Sequence, residues 1–422
     1  MTTQSDISYL SLFKKYHSFR FFYLAHLVSL LGDWFNLIAI FSLLKTMGSG
    51  SASAFGGTLI IKSLPTVLVS PWAGLIADSF SRKHIMIISD VLRAVVVLCM
   101  YAAVWEKSYI GLCVLLALQS AISGFFQPAN TAFLPDVVPK EALTAANALN
   151  ATTWSVMLTV GAAIGGVVTE YFGWEIALMV DSFSYILSAI FLLPVSPDYK
   201  EEVNQVKGKE KPSIIEGFVY IWNHKDVLFF MCVKGGWNLV GALTLMLSLL
   251  GEYTFAHIAN PVLMVSFFYS IRGLGTGIGP ILSRYLTQSK VPTMERFIGY
   301  GLLMGGVFYC LLPLTENIWL VACFIVLAHI GGATCWVFST IRLQQILPSF
   351  VRGRVFATEQ AIFVTMFTFS NLFYGAAFDR NWFSLEELFT CMGMSLFLPA
   401  SLWFVFLSFK EKRVPSRNNT SV

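Results

Sequence analysis

The long apolar runs of this chain are interrupted by a few polar and charged residues, and any chemistry has to start there: Asp33, Lys62, Asp90, Arg93, Lys234, Asn238, Arg272 and His329. A charge at the centre of an apolar helix costs roughly 2.5–3.5 kcal/mol even on the lenient insertion scale. Each one therefore requires a partner or a task. Asp33 and Lys62 lie about 14 and 15 residues, or roughly 21 and 22 Å, from the same-side ends of consecutive helical runs at 1.5 Å per residue. Equal depth predicts an Asp33–Lys62 ion pair. On one reading Asp33 gains and loses protons in a cavity and couples them to a second solute, with Lys62 setting its proton affinity. On the other the pair is static and locks two helices together.

Asp90 and Arg93 are one turn apart and share a helix face. They stand near Gly74, Asp78, Arg82 and Lys83 and are expected to act with them as a conformational gate, in which Asp78 and Arg82 meet Arg352, Arg354 and Glu359 at the start of a later run. An acidic residue at that helix N-terminus also gains from the helix dipole. A plain anchor of positive charge explains Arg82 and Lys83 equally well. In the second half of the chain, Lys234 and Asn238 are one turn apart, and Arg272 and His329 are deep. With Trp34 they form the expected lining of a cavity, in which a deep basic pair, Lys234 and Arg272, would suit an anionic or polar solute. A hydrogen-bonded packing role is the more ordinary one for His329. Asp181, Glu252, Arg342 and Asp379 fall nearer the ends of their runs and are expected to snorkel.

The elements that must position these residues follow from composition. The chain has 422 residues, of which 56% are hydrophobic and 12% charged, against about 25% charged in ordinary soluble proteins. That is too few to coat a soluble globule, which excludes a soluble multidomain enzyme, a disordered chain and a nucleic-acid binder. A membrane-crossing helix needs about 20 mostly apolar residues. Twelve such runs are present, roughly 19–44, 54–77, 84–104, 109–128, 142–169, 173–194, 226–250, 258–286, 296–314, 318–346, 354–378 and 386–409. The expected fold is all-α, a polytopic membrane protein of twelve transmembrane helices in two pseudo-symmetric six-helix halves. The halves are residues 1–194 and 226–410, with a polar linker at 195–225 and a tail at 411–422. The stretch Ser213–Trp222, after Pro212, is predicted to form a short interfacial helix. Of the 28 Lys and Arg residues, 20 fall on the side of the termini and linker and three (Lys45, Lys107, Arg380) on the other. The positive-inside rule then predicts cytoplasmic termini. The seven cysteines all lie in apolar stretches without a CxxC pair and read as small buried hydrophobes.

The halves also repeat one another. LPDVVPKEALTAAN from Leu134 recurs as LPSFVRGRVFATEQ from Leu347, and GLIADSFSRK from Gly74 as GPILSRYL from Gly279, each at the same place in its six-helix unit. Duplicated halves are the plan of a secondary transporter with its site at the repeat interface. The twelve runs, the central linker and the motif Gly74, Asp78, Arg82, Lys83 resemble the major facilitator superfamily, with Ser79 and Ser81 departing from its usual Arg and Gly. The opening LSLFKKYHSFRFFYLAHLVSLLGDWFNLIAI, DSFSYILS from Asp181 and RGRV from Arg352 are similar to its bacterial exporter branch, which contains macrolide-efflux proteins and the enterobactin exporter. Gly161, Gly165 and Gly166 resemble the family's antiporter motif, with Ala162 where a Pro is usual. Small residues also serve close helix packing in any membrane.

The resemblance implies an inner-membrane secondary transporter that exports an amphipathic small molecule, a drug-like compound or a secreted metabolite, by proton antiport and alternating access. A siderophore-dedicated exporter and a lysophospholipid transporter without proton coupling are the alternatives, with a non-transporting receptor as a remote third. Partners are then the solute, protons and membrane lipid, around a monomer. No Walker loop, HExxH or nucleophile elbow occurs, so no enzyme chemistry, metal or cofactor is expected.

Overall fold

The computed structural model describes residues 9–46, 51–139, 142–198, 214–287, 291–347 and 349–413. These residues are helical with short connections, and no strand occurs among them. The helices are α1 (Tyr9–Lys15), α2 (His17–Thr46), α3 (Ala52–Ile61), α4 (Leu64–Ser79), α5 (Arg82–Trp105), α6 (Tyr109–Val137), α7 (Leu143–Leu192) and α8 (Ile214–Asn223). They continue with α9 (Lys225–Trp237), α10 (Leu243–Leu249), α11 (Pro261–Thr287), α12 (Val291–Leu311), α13 (Ile318–Ile346), α14 (Ser349–Asp379) and α15 (Leu385–Arg413).

Among the described residues, 11 stretches are helical, long and apolar enough to cross a membrane, and one of them, Thr152–Leu192, has 41 residues. At 1.5 Å per residue that is about 61 Å, twice a bilayer core of about 30 Å. It is two crossings. The backbone leaves helical geometry at Gly173 (φ 86°, ψ 162°), a conformation that only glycine adopts without strain. Contacts on either side show that the chain reverses there. Tyr23 meets Thr153 and Trp34 packs on Gly161, so α2 runs parallel to the first part of α7. Asp33 meets Tyr185 and Ser18 meets Asp198, so α2 runs antiparallel to the second part. With that turn counted, the twelve crossings match the sequence reading, and the chain is a polytopic membrane protein.

Among the described residues, two crossings are interrupted. The second breaks between α3 and α4 at Lys62 and Ser63, two residues before Pro65, which has no N–H for the carbonyl four residues back. Ser120 Oγ donates to the Lys62 carbonyl at 2.8 Å, so the break is polar but satisfied. The seventh breaks after α9 into a 3₁₀ turn at Asn238–Val240, and α10 runs into a π turn at Leu250–Thr254.

The chain divides into two compact units. The first is Met1–Glu210 with Thr244–Leu274 and Asn371–Trp382; the second is Lys211–Leu243, Gly275–Ser370 and Phe383–Val422. The first unit thus takes in the expected first half together with parts of crossings seven, eight and eleven. Its apolar core at one end is built from Leu12, Phe19, Phe22, Met86, Phe126 and Phe133. The second unit packs α9, α12, α13, α14 and α15, with Phe230 edge-on to Trp403 at 5.1 Å. Helix α8 overlaps the segment Ser213–Trp222 predicted as an interfacial helix, one residue later at its end.

Candidate functional site: a buried polar cluster in the first unit

On α2, Asp33 and Asn36 are three residues apart and project on one face. On the second part of α7, Asp181, Ser184, Tyr185 and Ser188 recur at helical spacing and form a polar stripe facing them. The two helices meet because residue 32 is glycine. A Cβ there would lie 1.9 Å from Ser184 Oγ and 2.8 Å from Asp181 Oδ1.

The stripe and its partners form two bonded groups within electrostatic reach of one another. Tyr185 Oη donates to Asp33 Oδ1 at 2.5 Å and accepts from Gln119 Nε2 at 3.1 Å. Asn36 Nδ2 donates to Asp181 Oδ2 at 2.7 Å, while the Asn36 oxygen accepts from Lys62 Nζ. Arg93 and Asp90 form an ion pair that is almost fully buried, and Ser188 Oγ donates to the other Asp90 oxygen at 2.7 Å. The Arg93 guanidinium also lies 4.2 Å from the Tyr185 ring centroid and 4.4 Å from that of Phe126. Stacking and pairing together make such a desolvated guanidinium tolerable. Asp181 is 0% exposed, and its Oδ1 has no hydrogen-bond partner.

Several expectations change here. Asp33 and Lys62 do not form the predicted direct ion pair: Asp33 takes its hydrogen bond from Tyr185, and Lys62 is turned to Asn36 by the break in its helix. Asp181 does not snorkel, because the turn at Gly173 places it two turns inside its crossing. Asp90 and Arg93 form a buried pair in the core of the first unit. Sequence reasoning missed Asn36, Gln119 and Tyr185. For Tyr185 the available signal was the spacing of polar residues in DSFSYILS from Asp181, which marks one helix face.

The other predicted site residues have separate partners. In the second unit, Lys234 Nζ is 2.9 Å from Glu359 Oε2 and 4.5 Å from the Trp336 ring centroid, with both charged groups buried. Lys234 is therefore a neutralised cation, and Glu359 is its counter-ion, ten residues into α14 and not at its start. Asn238 Nδ2 donates to the Phe363 carbonyl at 2.7 Å. His329 Nδ1 bonds the Ile325 carbonyl at 2.9 Å and its ring packs on Trp237 and Tyr309. In the first unit, Arg272 donates to Thr244 Oγ1 at 2.9 Å, and the Trp34 Nε1 is buried without a partner. Arg342 does not snorkel either, since it and Lys410 share the buried carboxylate of Glu295.

At the expected gate, Arg82 pairs with Asp136 at 3.1 Å and Lys83 Nζ caps the Leu193 carbonyl at 2.6 Å. The side chains of Gly74, Asp78, Arg352 and Arg354 lie outside the described residues. At the opposite end of the first unit, the Asp379 carboxylate accepts the Ala52 and Ser53 N–H groups, both at 2.8 Å. Those are orphan donors of the first turn of α3, so Asp379 is a cap and not a snorkelling charge. The glycines of the antiporter-like motif make close helix contacts: Gly161 against Trp34, Gly165 against Phe35 and Gly166 against Ser266.

The family model described as Major Facilitator Superfamily matches residues 22–370. The chain belongs to that superfamily. This major facilitator is a membrane transporter and not an enzyme. It is 29% identical over 199 residues to YfiS, an uncharacterized MFS-type transporter of Bacillus subtilis (strain 168), an alignment that spans 46% of each chain, less than half the length of that relative. It is 23% identical to the staphyloferrin A transporter of Staphylococcus aureus (strain NCTC 8325 / PS 47), over 42% of this chain and 45% of that one. With the multidrug efflux pump Tap of Mycolicibacterium fortuitum the identity is 25%, over 77% of this chain and 80% of the pump. Among solved structures, a bacterial homologue of the human lysosomal transporter Spinster, inward-facing and unoccupied, superposes with a TM-score of 0.72 at 16% identity. That match covers 96% of this major facilitator and all of the homologue, and it shows the shared fold.

Proposed function

We infer that this major facilitator exports an amphipathic small molecule from the cytoplasm by proton antiport and alternating access. The observation that carries the reading is the cluster around Asp33, Asn36, Lys62 and Asp181. Ionisable residues held inside membrane helices are expensive and mark ion pathways by default, and here Asp33 is within electrostatic reach of the hydrogen-bonded Lys62–Asn36–Asp181 group. Efflux is supported by the multidrug pump among its relatives. The cargo is a drug-like compound or a secreted metabolite, carried by a monomer in the inner membrane with both termini and the linker in the cytoplasm.

A siderophore cargo is the second reading, favoured by the relative that transports staphyloferrin A. The argument for an anionic cargo from Lys234 loses force, because Glu359 already neutralises that cation. Untargeted mass spectrometry of spent medium and cell extract, from a deletion strain and its complemented parent, tests both. A compound lost from the medium and retained in cells identifies the cargo. Export that survives an uncoupler removes proton antiport and favours movement of a lipid without it.

A further inference from the structure

The buried cluster of the first unit holds an unbalanced charge. The groups that face one another are His26, Asp33 and Asn36 from α2, Lys62 at the α3–α4 break, Asp90 and Arg93 from α5, Gln119 from α6, and Asp181, Tyr185 and Ser188 from α7. Asp33 is within electrostatic reach of Lys62, Arg93 and Asp181. Apart from His26, three carboxylates stand against two cations, so these five groups when fully ionised carry one net negative charge. An uncompensated charge in a desolvated interior is strongly unfavourable, and a single proton removes it.

The hydrogen bonds indicate where that proton belongs. Asp90 has both oxygens occupied, one by Arg93 and one by Ser188. Asp33 is partly exposed and takes the Tyr185 hydroxyl. Asp181 is fully buried, and only its Oδ2 receives a donor, the Asn36 amide. Its Oδ1 lies against Gly32 with no donor at all. As a carboxylate it would leave a charged oxygen bare; as an acid it leaves only a neutral hydroxyl, which costs far less to bury.

We propose that Asp181, rather than Asp33, carries the proton of this cluster, with Asn36 linking it to Lys62. Its role in transport rests on the proton-antiport reading; its protonation does not. On release the O–H bond of Oδ1 breaks, the electron pair stays on Asp181 and the proton passes to water. The new carboxylate then draws Lys62, one amide away, and so acts on the α3–α4 break.

Infrared difference spectroscopy on the purified full-length protein in lipid nanodiscs, stepped in pH, tests this with the proton itself as ligand. The wild type is expected to show one buried carboxylic-acid C=O band at neutral pH. Asp181→Glu should shift that band, because the proton now sits on a different acid, and Asp33→Glu should leave it in place. Both variants keep the charge count, which the asparagine variants do not. A wild type without the band, or a band that moves in Asp33→Glu and not in Asp181→Glu, overturns the proposal. If the band behaves as expected but export ignores the pH gradient, Asp181 holds a resident proton and the antiport reading alone fails.

Discussion

Asn36 gives its amide N–H to Asp181 across the crossing of α2 and α7, at 2.7 Å and 145 residues apart in the chain. The other end of the same amide accepts from Lys62. One neutral side chain therefore stands between the buried carboxyl group of Asp181 and the ammonium of Lys62, and holds them one amide apart. A direct pair would be a fixed structural element; a pair separated by one amide can change its spacing when the charge on either side changes.

Asp33→Asn lowers the negative charge of the cluster by one and removes the need for a proton. Export against a concentration gradient should be lost, while downhill efflux, folding and membrane insertion persist. Solute flux in proteoliposomes with and without an imposed pH gradient measures this. Uphill export at the wild-type rate would remove Asp33 from the coupling machinery.

Lys62→Met leaves three carboxylates facing Arg93 alone. A second buried acid should then form at neutral pH and appear as additional intensity in the carboxylic C=O region. An unchanged spectrum would mean that Lys62 does not contribute to the charge balance.

Lys234→Met strands Glu359, and breaking a buried pair costs about 3–5 kcal/mol. The thermal midpoint in detergent should fall sharply. The double variant Lys234→Met with Glu359→Gln should recover most of the loss, since replacing both members of a buried pair is often neutral.

Gly32→Ala places a methyl group 1.9 Å from Ser184 Oγ, and overpacking of this kind costs about 1–3 kcal/mol. Adding Ser184→Gly should restore part of the stability. Thermal unfolding of the two variants side by side is the check.

Asp379→Asn weakens a cap on the first turn of α3, a contact of a kind worth about 0.5–2 kcal/mol. Ala52 is buried, so a cysteine placed there should react slowly with an impermeant maleimide and faster once Asp379 is replaced. Labelling from the outer face of intact cells would also place this end of the first unit.

Hydropathy alone made the twelve crossings legible, since each is an apolar run of bilayer length. The packing partners were not, for identifiable reasons. Glu359 was expected at a helix start because the apolar run begins near residue 354, yet α14 starts at Ser349. That places Glu359 about 15 Å into the helix at 1.5 Å per residue, deep enough to need Lys234. The break beside Lys62 falls just before Pro65, a signal that a reading of hydropathy alone passes over. Asp181 looked close to a helix end because it lies near residue 173 in the sequence; the turn at Gly173 makes those residues the opening of a crossing. Asn36 and Tyr185 carry no charge, so a search for charged residues passes over them although they hold the cluster together.

The reversal at Gly173 also bears on how the protein is made. With one residue between two crossings there is no loop to be drawn through the translocation machinery, and the first part of α7 has no way to settle across the bilayer alone and wait for its successor. The two must enter as a hairpin, and Asp181 enters with them. Synthesis arrested just beyond Gly173 should leave the preceding segment poorly inserted, and extension through Leu192 should restore it.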